Sequence, residues 1–291
     1  WQTNLIKLYC TVCDNSSAIE AVMQRQSNNF RPQFADEECI TVYLRGISQR
    51  RFEQKTIYDY TKNHLLDWFP KLPSYQAFSD RVKRLVPAFH TLAEYWLGMI
   101  GVDLAERLDY IVDSCPIILA KGPAPAMHGP PPYSVVLDDF GAAQHDLPAA
   151  KQIVDDHASL KPGRLYADKA YIDAGWAQSL QKNHAIELLT PRKKQKDDVL
   201  VSGDTFSTFV SLLRQPVECF FNCLNRLTDI PSASLVRSLS ALLSHTFGRI
   251  AAALAMPRPQ MLLSLQYTSV VSLFGPLFVG RYSCLTRVDT S

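Results

Sequence analysis

The sequence carries little net charge and shows no amino-terminal targeting segment. Its 291 residues have a formal net charge of only +2, which excludes a uniformly basic, histone-like binder but leaves room for local basic clusters. A secretory signal has a positively charged stretch, then an apolar stretch, then small residues at its cleavage site, and the start of this sequence does not show that order. Because the chain begins with Trp1, we expect a fragment, and the missing leader carries no weight.

The cysteines form neither a disulfide framework nor a zinc pattern. There are seven of them at irregular spacing, which favours reduced thiols in a cytosolic compartment. Cys10 and Cys13 form a lone CxxC, and two thiols on one helix face explain it better than zinc does. A Gly-rich phosphate loop and a GxSxG nucleophile elbow are also absent from the sequence.

One uncharged run, from 261 to 280, is about as long as a membrane helix. Gln266, Thr268, three serines and a Gly275-Pro276 pair interrupt it, and we therefore expect no membrane span there. A membrane-tethered protein is the least favoured alternative. Apolar residues make up 47% of the chain, which is enough for a sizeable folded core.

The order of patterns predicts a helical region followed by an α/β core. Residues 1–105 are mostly helical in pattern, and apolar residues from Tyr75 to Trp96 follow helical spacing, with Pro87 as a boundary. Within this region the basic stretch from Arg45 to Lys55 is interpreted either as a contact for DNA phosphates or as a solvated helix face. From 106 to 256, short apolar runs alternate with helical patterns, which is typical of α/β proteins. The tail from 257 to 291 has no pattern that can be assigned.

Three carboxylates lie on elements that are predicted to be largely buried: two near the ends of strands and one on the polar face of a helix. Asp113 lies near the end of the predicted strand LDYIVDSC, Asp168 follows a second strand, and Glu218 lies on a long helix from Thr205 to Leu227. A carboxylate in an apolar setting is costly unless a cation meets it. We predict that the three converge to hold Mg²⁺ or Mn²⁺, which prefer such hard oxygen ligands.

A basic turn follows the third predicted strand, Ala185 to Leu189. It contains Arg192, Lys193, Lys194 and Lys196. In α/β proteins, ligand-binding sites commonly lie at the carboxyl ends of strands. Two interpretations of the basic turn therefore remain: it contacts phosphates, or it is a solvated loop. On the long helix, Arg214 precedes Glu218 by four residues, which by itself predicts an exposed ion pair of about 0.3–0.5 kcal/mol.

Several segments taken together resemble bacterial insertion-sequence transposases of the DDE class. They are IVDSCPI, GAAQHDLPAAKQI, LYADKAYID, AIELLTPRKKQK, RQPVECFFNCLNRL and VRSLSALLSHTFGRIAAAL, with LPSYQAFSDRVKRL similar to the family's amino-terminal helical region. The resemblance covers roughly residues 65–255.

The resemblance implies an RNase H-like core and metal-dependent cutting and rejoining of DNA. Asp113, Asp168 and Glu218 would then be the catalytic, metal-holding carboxylates, and Arg214 the arginine of the family's helix signature, contacting DNA with the basic turn. The cofactor implied is Mg²⁺ or Mn²⁺. The partners implied are double-stranded transposon ends and target DNA, bound by a homodimer in the bacterial cytoplasm at the nucleoid.

The sequence also departs from the family. Ser211 and Asn225 stand where the helix signature has tyrosine and lysine, and the Pro-rich segment 121–132 replaces a strand hairpin between the first two aspartates. A sheet with fewer strands is therefore expected. Two functions remain open: an active DDE transposase, or a non-catalytic DNA-binding remnant of one.

Overall fold

The protein is mixed α/β and mostly helical. A computed structural model describes residues 2–23, 32–99, 108–116, 147–148, 150–151, 154, 162–192, 204–233, 236, 238–256, 268–271 and 281–288. The chain forms two compact units. The first contains residues 1–99, 119–122 and 224–258, and the second contains 100–118, 123–223 and 259–291. Each unit is assembled from segments that are distant in sequence. The predicted domains were continuous ranges with boundaries at residues 105 and 256, and these boundaries stay a prediction.

Helices make up the described part of the first unit. They are α1 (Gln2–Asp14), α2 (Ser16–Met23), α3 (Asp36–Ser48), α4 (Gln54–His64), α5 (Tyr75–Arg84), α6 (Val86–Met99) and, after two helices of the second unit, α9 (Leu239–Leu254). The predicted helical segment from Tyr75 to Trp96 is divided between α5 and α6 at Leu85, two residues before Pro87. Proline is tolerated in the first turn of a helix, which explains a break at this point.

Two nearly fully buried helices, α3 and α9, form the centre of the first unit. The α3 residues Cys39 to Leu44 are all buried, and so are Ser244 to Leu254 on α9. The helices approach closely because Gly248 has no side chain: a Cβ there would lie 2.5 Å from Cε1 of Tyr43. The ring of Tyr43 in turn packs on Phe89, with centroids 5.2 Å apart.

Buried polar groups of α9 use backbone carbonyls as partners. Ser244 Oγ donates to the carbonyl of Val82 at 3.2 Å, and His245 Nε2 donates to that of Ile230 at 2.9 Å. Each bond satisfies a polar group that would otherwise be costly to bury. The helix therefore combines an apolar core with polar side chains that tie neighbouring segments to it.

His245 gives the first unit a dependence on pH. Burial lowers the pKa of His245 to about 4, and the positive charge of Arg249 acts in the same direction. The hydrogen bond to Ile230 and the carboxylate of Asp229 oppose this shift. In the unfolded chain the imidazole of His245 binds a proton with a pKa near 6.5, whereas the folded protein keeps it neutral down to a much lower pH. The free energy of unfolding should therefore fall by up to ~1.4 kcal/mol per pH unit as the pH decreases from 6.5 towards 4, and it should be unaffected by His245 above pH 6.5.

Urea unfolding at pH 7, 6 and 5 measures this loss against a His245→Gln variant. Glutamine can donate the same hydrogen bond without titrating, so its unfolding free energy should fall less steeply over this range. Parallel curves for the two proteins would show that the imidazole does not carry the effect.

The second unit is organised around a five-stranded sheet in the described residues. Its strands are β1 (Leu108–Pro116), β2 (Gly163–Tyr166), β3 (Ile186–Leu189), β4 (Thr268–Val271) and β5 (Arg281–Val288), in the order β3-β2-β1-β5-β4. Strands β1, β2 and β3 are parallel, while β5 is antiparallel to both β1 and β4. The mixed sheet and its flanking helices confirm the predicted α/β class.

Helices follow strands β2 and β3, as the sequence predicted. After β2, a short 3₁₀ turn (Lys169–Tyr171) leads to α7 (Ala174–His184), whose first turn is capped by Asp173 Oδ1 accepting from the Trp176 N–H at 2.8 Å. The long helix α8 (Thr205–Thr228) matches the predicted span, and the boundary between the two units falls within it, after Cys223.

The tail supplies strands that the sequence did not predict. Strand β5 pairs with β1 along Tyr110 to Pro116, and β4 pairs with β5. A sheet with fewer strands was expected because segment 121–132 replaces the hairpin. That expectation was wrong, since the tail adds two strands on the β1 side of the sheet. Segment 121–132 itself lies outside the described residues. In the part of the chain that is described, no helix is long and apolar enough to cross a membrane.

Candidate functional site

Two of the predicted carboxylates belong to neighbouring parallel strands: Asp113 lies within β1, three residues before its end, and Asp168 follows the end of β2 by two residues. The register of β1 and β2 aligns Leu108 with Gly163 and Ile111 with Tyr166. Continued by two residues, this register sets Asp168 opposite Asp113. Adjacent strands lie about 4.8 Å apart, and residues two apart share a face. Asp113 and Asp168 therefore occupy matching positions at the carboxyl end of the sheet.

Helix α8 packs on the face of the sheet that carries these positions. Ile111 and Tyr166 form a buried cluster with Val210 and Val217 of α8. Because side chains alternate along a strand, Asp113 lies on the same face as Ile111. Arg214 lies between Val210 and Val217 on the inner side of the helix, four residues after one and three before the other. The packing thus directs a cation towards the end of β1.

Arg214 and Asp113 form an ion pair across 101 residues of sequence. Nη2 of Arg214 donates to Oδ2 of Asp113 at 3.0 Å, and the two side chains are only 12% and 18% exposed. A carboxylate with this little exposure needs a cationic or hydrogen-bonding partner. The arginine supplies it here, rather than forming the helical pair with Glu218 that spacing alone predicted.

The other two carboxylates have different surroundings. Oδ1 of Asp168 accepts the N–H of Ala170 at 2.5 Å and so caps the 3₁₀ turn after β2. Glu218 follows Arg214 by one helical turn and is exposed. Across the ranges that the structure describes, no three His, Cys, Asp or Glu side chains lie close enough together to hold a metal ion. The structure thus gives Asp113 and Asp168 separate partners and leaves Glu218 exposed on the helix.

The basic turn begins at a position linked to the start of α8. The backbone N–H of Arg192 donates to Oγ of Ser207 at 3.0 Å, and this hydroxyl donates to Oδ2 of Asp204 at 2.6 Å. The residue Arg192 is exposed to solvent. Lys193, Lys194 and Lys196 lie outside the described residues, so their role in binding phosphates stays a prediction.

The sequence did not predict the ion pair between Asp113 and Arg214. The signal was present, because a lone carboxylate after a run of apolar residues needs a cation. The sequence offers many cations, however, and only the packing of α8 on the sheet selects this one.

Comparison with known proteins adds no assignment: no protein-family model matches the chain, no curated protein matches it, and no solved structure matches it.

Proposed function

We propose that the chain is a DNA transposase of the DDE class, with an RNase H-like core, which cleaves a DNA strand and transfers it to target DNA. The observation that carries the proposal is the parallel register of β1 and β2, which ends at Ile111 and Tyr166; extended by two residues, it would bring Asp113 and Asp168 opposite each other. Helix α8, with Arg214 and Glu218, packs over the same face of the sheet. Of the proposed site residues, Arg214 and Asp113 are in direct contact.

The position of the tail strands also supports this fold. The family that the sequence resembles has a strand hairpin between its first two aspartates, and in this chain the antiparallel pair β4 and β5 extends the sheet beside β1. The sheet on which the carboxylates depend is thereby completed by a different part of the chain. An RNase H-like core assembled in this way would keep Asp113 on an interior strand, paired on both sides.

The donor chemistry at the strand ends fits a divalent cation. Under this proposal Asp113 and Asp168 would hold Mg²⁺ or Mn²⁺ through carboxylate oxygens, with Glu218 as the third ligand, although the three side chains are not grouped closely enough for this in the described residues. When bound, the metal would polarise the phosphodiester and favour attack by water at neutral pH. The chain's own contribution is to orient the aspartates on rigid strands and to hold Asp113 through Arg214.

The second candidate is a DNA-binding protein without catalysis. It is favoured by the ion pair itself, because Arg214 neutralises the carboxylate that would have to bind the metal. It is also favoured by Asp168, whose Oδ1 accepts a backbone N–H. Under this candidate the same groups stabilise the end of the sheet, and the bound DNA stays intact.

Incubating the protein with a supercoiled plasmid and Mg²⁺ or Mn²⁺ distinguishes the two candidates. The transposase should convert supercoiled DNA to the nicked form, or join labelled oligonucleotide ends to it, and EDTA should stop both reactions. The non-catalytic candidate predicts a gel shift that weakens with salt and no nicked product with either metal.

The basic turn predicts a measurable change in the salt dependence of DNA binding. Replacing Arg192, Lys193, Lys194 and Lys196 by alanine should weaken binding to any duplex sequence. It should also reduce the slope of log K against log salt by ~1 for each phosphate that the variant no longer neutralises. Fluorescence anisotropy between 50 and 200 mM salt measures both quantities.

Lys182 on α7 offers a control with a single exposed charge in the same unit. Lys182→Ala should leave the slope nearly unchanged. An unaltered slope in the fourfold variant would identify the turn as a solvated loop.

A further inference from the structure

The first unit contains a basic cavity that the carboxylate site does not use. Its volume is about 690 Å³, and it lies among α3, α4, α5, α9 and the segment before α9. Five cationic side chains of the described residues line it, against the two carboxylates of Glu53 and Asp229; the cations are Arg50, Arg51, Lys55, Lys83 and Arg249. Two of them, Lys55 and Lys83, also pair with carboxylates on their own helices, at 2.5 and 3.1 Å.

Arg249 is a buried cation with incomplete partners. The residue is 3% exposed, and its two Nη atoms donate to the carbonyls of Thr228 and Phe52. Its Nε has no hydrogen-bond partner, while the negative charge of Asp229 favours the charged guanidinium. Burial lowers the pKa of Arg249. A charge buried in this way is costly, and an anion in the cavity would offset that cost.

The other two arginines stand at the entry to α4. Arg50 is exposed and has a positive φ of 59°, so its backbone turns sharply after α3. Arg51 lies over the ring of Tyr60, 3.6 Å from its centroid, which holds its guanidinium in place. Arg50 is therefore exposed at the rim of the cavity, Arg51 is held by Tyr60, and Arg249 is buried.

We propose that this cavity binds a phosphate group. Guanidinium groups match phosphate oxygens in geometry and carry permanent charge. Phe52 and Tyr75 also line the cavity, and aromatic side chains are the groups on which nucleic-acid bases stack. The assignment of DNA as the source of the phosphate rests on the proposed function, whereas the anion site itself rests on the cavity alone.

Binding of inorganic pyrophosphate, measured by calorimetry in EDTA, tests the site. The cavity variant combines Arg50→Asn, Lys55→Gln and Lys83→Gln. Asparagine tolerates a positive φ, so the turn after α3 is retained. Arg51 and Arg249 are kept because both are held by packing within the fold. The cavity variant should bind pyrophosphate at least ~10-fold more weakly, since three positive charges leave the lining of the cavity.

The matched control combines Lys62→Gln, Lys71→Gln and Arg84→Gln. It removes the same number of exposed charges from the first unit at positions outside the cavity lining. Its affinity for pyrophosphate should stay within ~2-fold of the native value, because these exposed side chains do not line the cavity and are screened by solvent and salt. Equal weakening in both proteins, or in neither, would overturn the site.

A DNA duplex measured by anisotropy in the same buffer then identifies the source of the phosphate. The cavity variant should bind this duplex more weakly than the control does. Weakened pyrophosphate binding with unchanged DNA binding would reject DNA as the ligand. Nicking by the native protein is scored separately, so failure of the proposed function remains distinguishable from failure of the site.

Discussion

Replacing Asp113 by asparagine is expected to abolish metal-dependent nicking while DNA binding persists. Asp168→Asn and Glu218→Gln should have the same effect, because under the proposed function each change removes a negative oxygen ligand of the metal and keeps the shape of the side chain. Removing groups that only support metal ligands costs 10–100-fold, so removing a ligand should cost at least ~100-fold. Plasmid nicking with Mg²⁺ and with Mn²⁺ measures the effect.

The matched control is Glu187→Gln, an exposed carboxylate near the opposite end of the parallel strands, on β3. It should nick DNA at the native rate. Asp113→Asn also leaves Arg214 with a weaker partner, so thermal unfolding must be measured beside activity. Full activity in any one of the three carboxylate variants would remove that residue from the proposed site, and full activity in all three would end the assignment.

Removing residues 257–291 is expected to unfold the sheet of the second unit. The truncation deletes β4 and β5, and it leaves β1 as an edge strand whose backbone groups from Tyr110 to Pro116 have no partners on that side. Each missing hydrogen bond contributes about 0.5–1.5 kcal/mol, so the total is comparable with the stability of a typical domain. An exposed edge of this kind also pairs readily with other chains.

Hydrogen exchange read by mass spectrometry locates the damage. Amides of 108–116 and 163–166 should lose protection in the truncated protein, whereas those of α3 and α9 in the first unit should keep it. Removing only 289–291, beyond the end of β5, is the matched control and should change neither. Because Asp113 lies on β1, the longer truncation should also abolish nicking. Native protection of 108–116 in the truncated protein would show that the sheet does not depend on the tail.

Local pattern was sufficient for elements whose sequence agrees with their environment. The apolar run before Asp113 and the long helix that begins at Thr205 each lie where the sequence predicted them. Alternation of such elements was also enough to predict an α/β class. These features follow from interactions between near neighbours, which a sequence displays directly.

The tail shows where local pattern was insufficient. Residues 261–280 are uncharged and combine apolar side chains with serine, glycine and proline, and neither a helical nor a strand period stands out. Strands β4 and β5 exist through their pairing with each other and with β1, which lies more than 150 residues earlier. Pairing over such a distance is a property of the folded chain, since strand preference depends strongly on context.

The sequence by itself determined the α/β class, the strand that ends near Asp113, the strand before Asp168 and the helix that carries Arg214 and Glu218. Tertiary structure alone decided that Arg214 meets Asp113, that the tail extends the sheet and that Arg249 lies buried beside a basic cavity. The physical reason is the range of the interactions: hydrophobic periodicity acts over a few residues, whereas ion pairs and strand ladders join residues that only folding brings together.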